Sequence, residues 1–238
     1  DLLTVAVKGY QLAPAVQDMK NQVGENTIIL SLLNGITSEE IIGREYGRNK
    51  VLYAVSYGLT ANRTGNHIHF TSYGNIAFGE KINREHSEKV QAVKELFDQA
   101  GIPYHIPADM LRSLWWKFMV NVGINQSSAV TRGRYGVFQT LAAAKELMDA
   151  AMEEVVKLSV AAGINLTGED IKKWHEVLST LDPASRTSML EDIENGRETE
   201  VEMFAGTVCR LGEKFGVATP VNRTLLNIIK VIEARPVK

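Results

Sequence analysis

Lys117, Asn121 and Asn125 follow one another in four-residue steps through residues 110–125, the most apolar stretch of a 238-residue chain. On a helix that spacing stacks the three side chains on one face. Leu114, Trp115, Trp116, Phe118, Met119, Val120, Val122 and Ile124 cover nearly all the rest, and a helix apolar all round is normally buried. A buried ammonium and two buried amides are costly unless partners meet them. Lys117 either snorkels to solvent along its apolar stem or forms part of a pocket wall. In a pocket, the ammonium polarises a carbonyl or hands it a proton, while the amides fix a hydroxyl or carboxylate. The asparagines on the two following turns favour the pocket.

Ser188 and Glu200 form a second candidate pair. Ser188 falls in the first turn of an expected helix, where free N–H groups and the helix dipole favour an anion; a serine there can equally be a simple cap. Glu200 opens the next helix among Glu191, Asp192, Glu194, Glu198 and Glu202, and periodicity does not separate it from them. Lys8 and Asn34-Gly35 end apolar runs that read as strands of an open α/β sheet, whose ligands bind beyond the carboxyl ends of the strands. For Asn34 the plain alternative is an ordinary turn. His67 and His69 share one strand face without a third ligand at useful spacing, so no metal site is expected. His175, beside Trp174, and Cys209, among apolar neighbours, read as core packing.

Two kinds of segment must position these residues. Residues 1–7 and 27–33 read as buried parallel strands and 51–56 as a third. Helices are expected at 14–23, after a Thr37/Glu40 capping box, and over 86–100 with Gly101 as the stop. Residues 67–70 and 76–78 flank Ser72-Tyr73-Gly74 and suggest an antiparallel hairpin, with 102–106 as a last strand. After Pro107 the pattern is helical: 109–130, 138–162, 169–179 capped by Thr167 and Asp170, 186–195, 199–216 and 221–234. Strands alternating with helices, then helices alone, give an α/β domain over 1–107 joined to an all-α domain over 108–238. No Gly-x-Gly-x-x-Gly occurs, and Gly133 and Gly136 have the wrong spacing in the helical half. The phosphate-binding turn of a dinucleotide fold is therefore expected upstream of Asp1.

Charge is nearly balanced, 26 Lys and Arg against 28 Asp and Glu, which argues against nucleic acid or an anionic membrane as partner. A single cysteine allows no intrachain disulfide and fits a reducing, cytoplasmic setting. No apolar run is long enough to span a bilayer.

Together these segments resemble the ketopantoate reductase (2-dehydropantoate 2-reductase) family. Val5-Ala6-Val7-Lys8-Gly9-Tyr10-Gln11 is similar to its strand-end motif with lysine and glutamine, and Leu32-Leu33-Asn34-Gly35 to its following strand end. Residues 116–125 are similar to its catalytic-lysine helix. Ser185-Arg186-Thr187-Ser188, followed by Glu198-Thr199-Glu200, are similar to its substrate serine and downstream glutamate. The resemblance covers essentially the whole chain and lacks only the glycine-loop segment.

It implies a Rossmann-type NAD(P)-binding domain, its N-terminal part missing, followed by a helical domain of the 6-phosphogluconate dehydrogenase type, with the active site between them. It implies NADPH-dependent reduction of ketopantoate to pantoate in pantothenate (vitamin B5) and coenzyme A biosynthesis. Lys117 would be the general acid. Asn121, Asn125 and Glu200 would hold substrate hydroxyl and keto groups, and Ser188 with the preceding loop, Ser185 included, the carboxylate. Asn34 would lie between cofactor and substrate; Lys8, Ala61 and Glu200 would also reach NADPH. Residues 132–136 carry no asparagine where family members often place another substrate contact, which leaves a reductase for another 2-oxo or 3-hydroxy acid as an alternative. A non-catalytic helical module is a further alternative, and the helix at 138–162 offers a homodimer face.

Overall fold

Alternating apolar side chains make the sheet of the N-terminal half two-faced. Its strands are β1 (Leu2–Val5), β2 (Ile28–Ser31), β3 (Val51–Thr64), β4 (His67–Gly79) and β5 (Tyr104–His105), in the order β1-β2-β3-β4-β5. β1, β2 and β3 run parallel, β3 and β4 antiparallel, and β4 and β5 parallel. This is a computed structural model; it describes residues 1–234, apart from the side chains at 60, 62–64 and 71. The chain divides into two compact units, Asp1–Leu114 and Trp115–Lys238.

In the first unit, α1 (Leu12–Asp18), α2 (Ser38–Tyr46) and α3 (Glu88–Ala100) accompany the sheet. Val90, Val93 and Phe97 of α3 pack on Leu30, Leu52, Ala54 and Phe78. The neighbouring strand positions Val55 and Ala77 point the other way, onto Met110 and Leu114 of α4 (Met110–Val120). Ser87 caps α3, and Gly101, at φ 65°, ends it as its position suggests.

Three expectations change here. β1 is only half-buried rather than a core strand. The hairpin turns at Gly65, not at Ser72-Tyr73-Gly74, and β4 runs straight through those residues. Gly74 (φ 67°) lies in the strand because a Cβ there would overlap Tyr57 O and Leu59 N across the ladder. Thr37 does precede α2, but its side chain makes no capping bond, and Glu40 turns outward to Arg44.

The second unit is helical. After α4 come a π-turn at Asn121–Asn125, α5 (Gln126–Thr131), α6 (Tyr135–Thr140), α7 (Ala142–Ala161), α8 (Gly168–Thr180) and α9 (Ser188–Glu194). A second π-turn, Glu202–Gly206, leads into α10 (Thr207–Phe215), and α11 (Pro220–Glu233) follows. Met148, Met152, Val155 and Leu158 of α7 are fully buried, as are Phe118, Phe138, Val208 and Ile229. Thr167 and Asp170 form the capping box expected for α8.

The helix expected over 138–162 is instead two helices. Leu141 is extended (φ −91°, ψ 117°) and α6 starts earlier, where Tyr135 N and Gly136 N donate to Ser185 O and Pro183 O. Free N–H groups of the first turn thus find carbonyls in a neighbouring loop. The stretches expected as uniform helix at 109–130 and 199–216 each contain a π-turn.

Candidate active site

Lys117 lies four residues before the start of the first π-turn, and Asn121 and Asn125 are that turn's first and last residues. In an α-helix each four-residue step overshoots a full turn by about 40°. A turn widened toward i→i+5 bonding falls short instead. One step of each kind brings Asn125 back over Lys117, so the stripe is straighter than a plain helix allows. Gly123 permits the widened turn to lie against α7, since a Cβ there would overlap the Met152 side chain.

Both asparagines are more than nine-tenths buried. No hydrogen bond to the Asn125 amide is present among the described residues. Lys117 is half-buried by exposure, and burial holds its pKa below the usual lysine value. A lysine in that state gives up its proton more readily than one in water.

Burial separates the acids that periodicity left level. Glu194, Glu198 and Glu202 are exposed, Glu191 is half-buried, and only Asp192 and Glu200 of the six are buried. Asp192 is bonded to Arg197 Nε at 2.9 Å. Glu200, 6 % exposed, sits where the second π-turned helix begins, its carbonyl accepting from Met203 N and Phe204 N. Its neighbours are anchored: Thr199 N donates to Glu233 Oε1 at 2.8 Å, and Thr199 Oγ1 accepts from Val201 N at 3.2 Å.

Ser188 is the exposed first residue of α9, and the cap is not Ser188 but Thr187, whose Oγ1 accepts from Leu190 N. The Thr187 hydroxyl also donates to Ser128 Oγ of α5 at 3.1 Å, and Ser128 Oγ to Gly133 O at 2.6 Å. These bonds tie the start of α9 to the helix that follows Asn125. Ser185 is exposed in the preceding loop, its hydroxyl on Asp182.

The residue that sequence reasoning missed is Gln126, fully buried beside Asn125. Its Nε2 donates to Val122 O (2.7 Å) and Asn222 Oδ1 (3.1 Å), and its Oε1 accepts from Ala205 N (3.0 Å). Asn222 Nδ2 in turn donates to Glu154 Oε2 (2.7 Å) and Ala151 O (3.1 Å). The buried Glu154 carboxylate also accepts from Val221 N and Asn222 N at the start of α11.

In the first unit, Lys8 and Asn34 are half-buried and follow β1 and β2, two parallel strands, so both lie past carboxyl ends of the same sheet. Lys8-Gly9-Tyr10-Gln11 closes a tight turn, with Gln11 N donating to Lys8 O at 2.8 Å and Lys8 N to Gln11 Oε1 at 3.2 Å. Ala61 is exposed on the long β3–β4 arm.

Other residues resolve more simply. His67 and His69 are exposed on β4, and no group of three His, Cys, Asp or Glu able to hold a metal occurs among the described residues. His175, expected as packing, pairs instead through Nε2 with Asp149 at 2.9 Å. Cys209 is buried, which pushes its thiol pKa up. No helix among the described residues is long and apolar enough to cross a membrane.

The family models for ketopantoate reductase PanE/ApbA and for its C-terminal domain match residues 1–83 and 109–233. The first match starts at residue 1. The 2-dehydropantoate 2-reductase of Aquifex aeolicus (strain VF5) is 29 % identical over 98 % of this chain and 76 % of its own. Among solved structures, D-mandelate dehydrogenase with NADH and anilino(oxo)acetate has TM-score 0.88 at 24 % identity, over 98 % of this chain and 76 % of that one. The dimeric ketopantoate reductase of Staphylococcus aureus has TM-score 0.86 at 20 % identity, over 98 % and 77 %. With its helical half matched from residue 109 to 233 and its sheet half from residue 1 to 83, this chain belongs to the ketopantoate reductase PanE/ApbA family.

Proposed function

We propose that the chain reduces ketopantoate (2-dehydropantoate) to pantoate with NADPH, in the cytoplasm, as a step toward pantothenate. The observation that carries this reading is the buried stripe of Lys117, Asn121 and Asn125 in a member of this family, with an Asn125 amide that no described residue bonds. Lys117 is the general acid: burial lowers its pKa, so the ammonium passes its proton to the 2-keto oxygen as negative charge develops there. Asn121 and Asn125 donate to or accept from substrate oxygens, and Glu200 accepts from a substrate hydroxyl. Ser188 and Ser185 hold the carboxylate.

The residues after β1 and β2 fit a dinucleotide, since a lysine and an asparagine lie past the carboxyl ends of adjacent parallel strands. Lys8, Asn34 and Ala61 would hold NADPH, with Glu200 as a further contact. When bound, the cofactor supplies the hydride that the 2-keto carbon accepts. The A. aeolicus relative, 29 % identical, favours ketopantoate as substrate and the S. aureus relative a homodimer.

The test is NADPH consumption with ketopantoate against pyruvate, 2-ketoisovalerate, oxaloacetate and phenylglyoxylate, each repeated with NADH. Ketopantoate should give the highest kcat/KM. If another 2-oxo acid is preferred, the substrate assignment fails, and if NADPH does not bind, the reductase reading fails with it.

A further inference from the structure

We propose that Gln126 is a positioning residue whose buried side-chain amide braces the two π-turns against each other and so fixes the spacing of Asn121 and Asn125 from Glu200. This rests on the reading that those residues hold a 2-oxo acid.

A π-turn takes backbone groups off the regular i→i−4 ladder, and a buried backbone group needs another partner. In the second turn, Phe204 N reaches Glu200 O and Gly206 N reaches Val201 O, while the amide between them, Ala205 N, donates to Gln126 Oε1. In the first turn, the Val122 carbonyl accepts from Gln126 Nε2. One turn thus presents an acceptor and the other a donor, and a primary amide is the side chain that answers both at once.

The orientation of that amide is itself fixed. Glu154 accepts from Asn222 Nδ2, which leaves Asn222 Oδ1 facing Gln126, and that oxygen takes the second Nε2 hydrogen. Swapping O and N on Gln126 would set donor against donor at Ala205 and acceptor against acceptor at Val122. Asn125 directly precedes Gln126, and Glu200 stands two residues before the second turn. Either turn relaxing to regular α winding would rotate the residues beyond it by about 100°, one residue's worth. The brace therefore holds both halves of the keto-acid subsite in one register.

Gln126→Met keeps the volume and removes both bonding senses; Gln126→Glu keeps the shape and, when protonated, one donor and one acceptor. In Gln126→Met, kcat/KM for ketopantoate should fall on the order of 10–100-fold, mainly through KM. NADPH affinity by fluorescence titration should change less than the KM for ketopantoate, because Lys8, Asn34 and Ala61 lie in the other unit and of the proposed cofactor contacts Glu200 alone is positioned by the brace. Amide hydrogen exchange should quicken together in peptides covering 119–127 and 200–207.

Gln126→Glu should recover ketopantoate KM at acidic pH and lose it as the new carboxyl ionises, a titration that a general loss of stability does not produce. An unchanged KM, or faster exchange in only one of the two segments, overturns the brace. A wild-type protein that reduces no 2-oxo acid sinks the functional reading instead, and the exchange result still decides whether the turns are coupled.

Discussion

Two polar sets meet at residues 125 and 126 and are treated in opposite ways. Gln126, Asn222 and Glu154 form a closed set: both Gln126 donors, both Asn222 donors and the Glu154 carboxylate oxygens are bonded within the unit. Lys117, Asn121 and Asn125 form the other set, in which the Asn125 amide takes no bond from any described residue and desolvation depresses the Lys117 pKa. A closed buried network favours one arrangement of the chain. The contrast lies at one point of the helical run: Gln126 has every side-chain donor bonded, whereas the adjacent Asn125 amide is bonded by no described residue.

Replacing a member of each set should break that contrast if it is wrong. The largest effect is expected for Lys117→Ala, which should cut turnover by about 10²–10⁴ if the ammonium is the general acid. Stability should move the other way. Because the folded pKa lies below the unfolded one, the unfolded chain binds more protons between the two, and wild-type stability rises with pH across that window. Lys117→Ala should be at least as stable as wild type below the window and should lose the rise. Urea titrations at several pH values, set beside turnover numbers, read both; a mutant with near-normal turnover removes Lys117 from the chemistry.

Next comes Glu154→Ala, which strands the backbone amides of Val221 and Asn222 and one Asn222 side-chain donor. At roughly 1 kcal/mol or more for each buried unmet donor, the unfolding free energy should drop by about 3 kcal/mol. Asn125→Ala should instead leave the urea midpoint nearly unchanged and raise the KM for ketopantoate about tenfold, the worth of one hydrogen bond to substrate. Equal destabilisation by the two mutants would mean that Asn125 is scaffold after all.

Much of this was legible in the residues, and the illegible part has a physical cause. The β-branched runs gave β1, β2 and β3, and Thr167/Asp170 gave the start of α8, because those signals are local. Gly74 read as a turn glycine since its requirement, close approach of Tyr57 and Leu59, exists only once β3 and β4 pair. The π-turns were hidden because polar residues four apart look alike in an α-helix and a widened turn. Gln126 gave no signal, as two of its partners lie 79 and 96 residues away. Glu200 emerged from its acidic neighbours only through burial, a property of the folded unit.

The first unit sharpens the comparison with a buried acid whose closure depends on a proton. Glu39 is 3 % exposed, and burial pushes its carboxyl up to about 7. Hydrogen bonds from its own backbone N–H, the Ser38 hydroxyl and the Ala54 backbone offset part of that rise, as does the charge of Arg48. Ser31 Oγ donates to Ser38 Oγ at 2.7 Å, which turns the Ser38 hydrogen toward Glu39. With an ordinary value of 4.5 in the unfolded chain, the folded state holds the extra proton between about 4.5 and about 7. Stability from this group is complete below that range and is lost as pH rises through about 7. The urea midpoint should therefore fall as pH rises from about 4.5 to about 7 and level off above, and Glu39→Gln, neutral throughout, should flatten that component of the fall. The effect should be confined to stability, with the KM for ketopantoate unmoved, because Glu39 belongs to a closed set. A shift in KM alongside the midpoint would show that a closed polar set can still control substrate binding, and closure would then no longer distinguish scaffold from site.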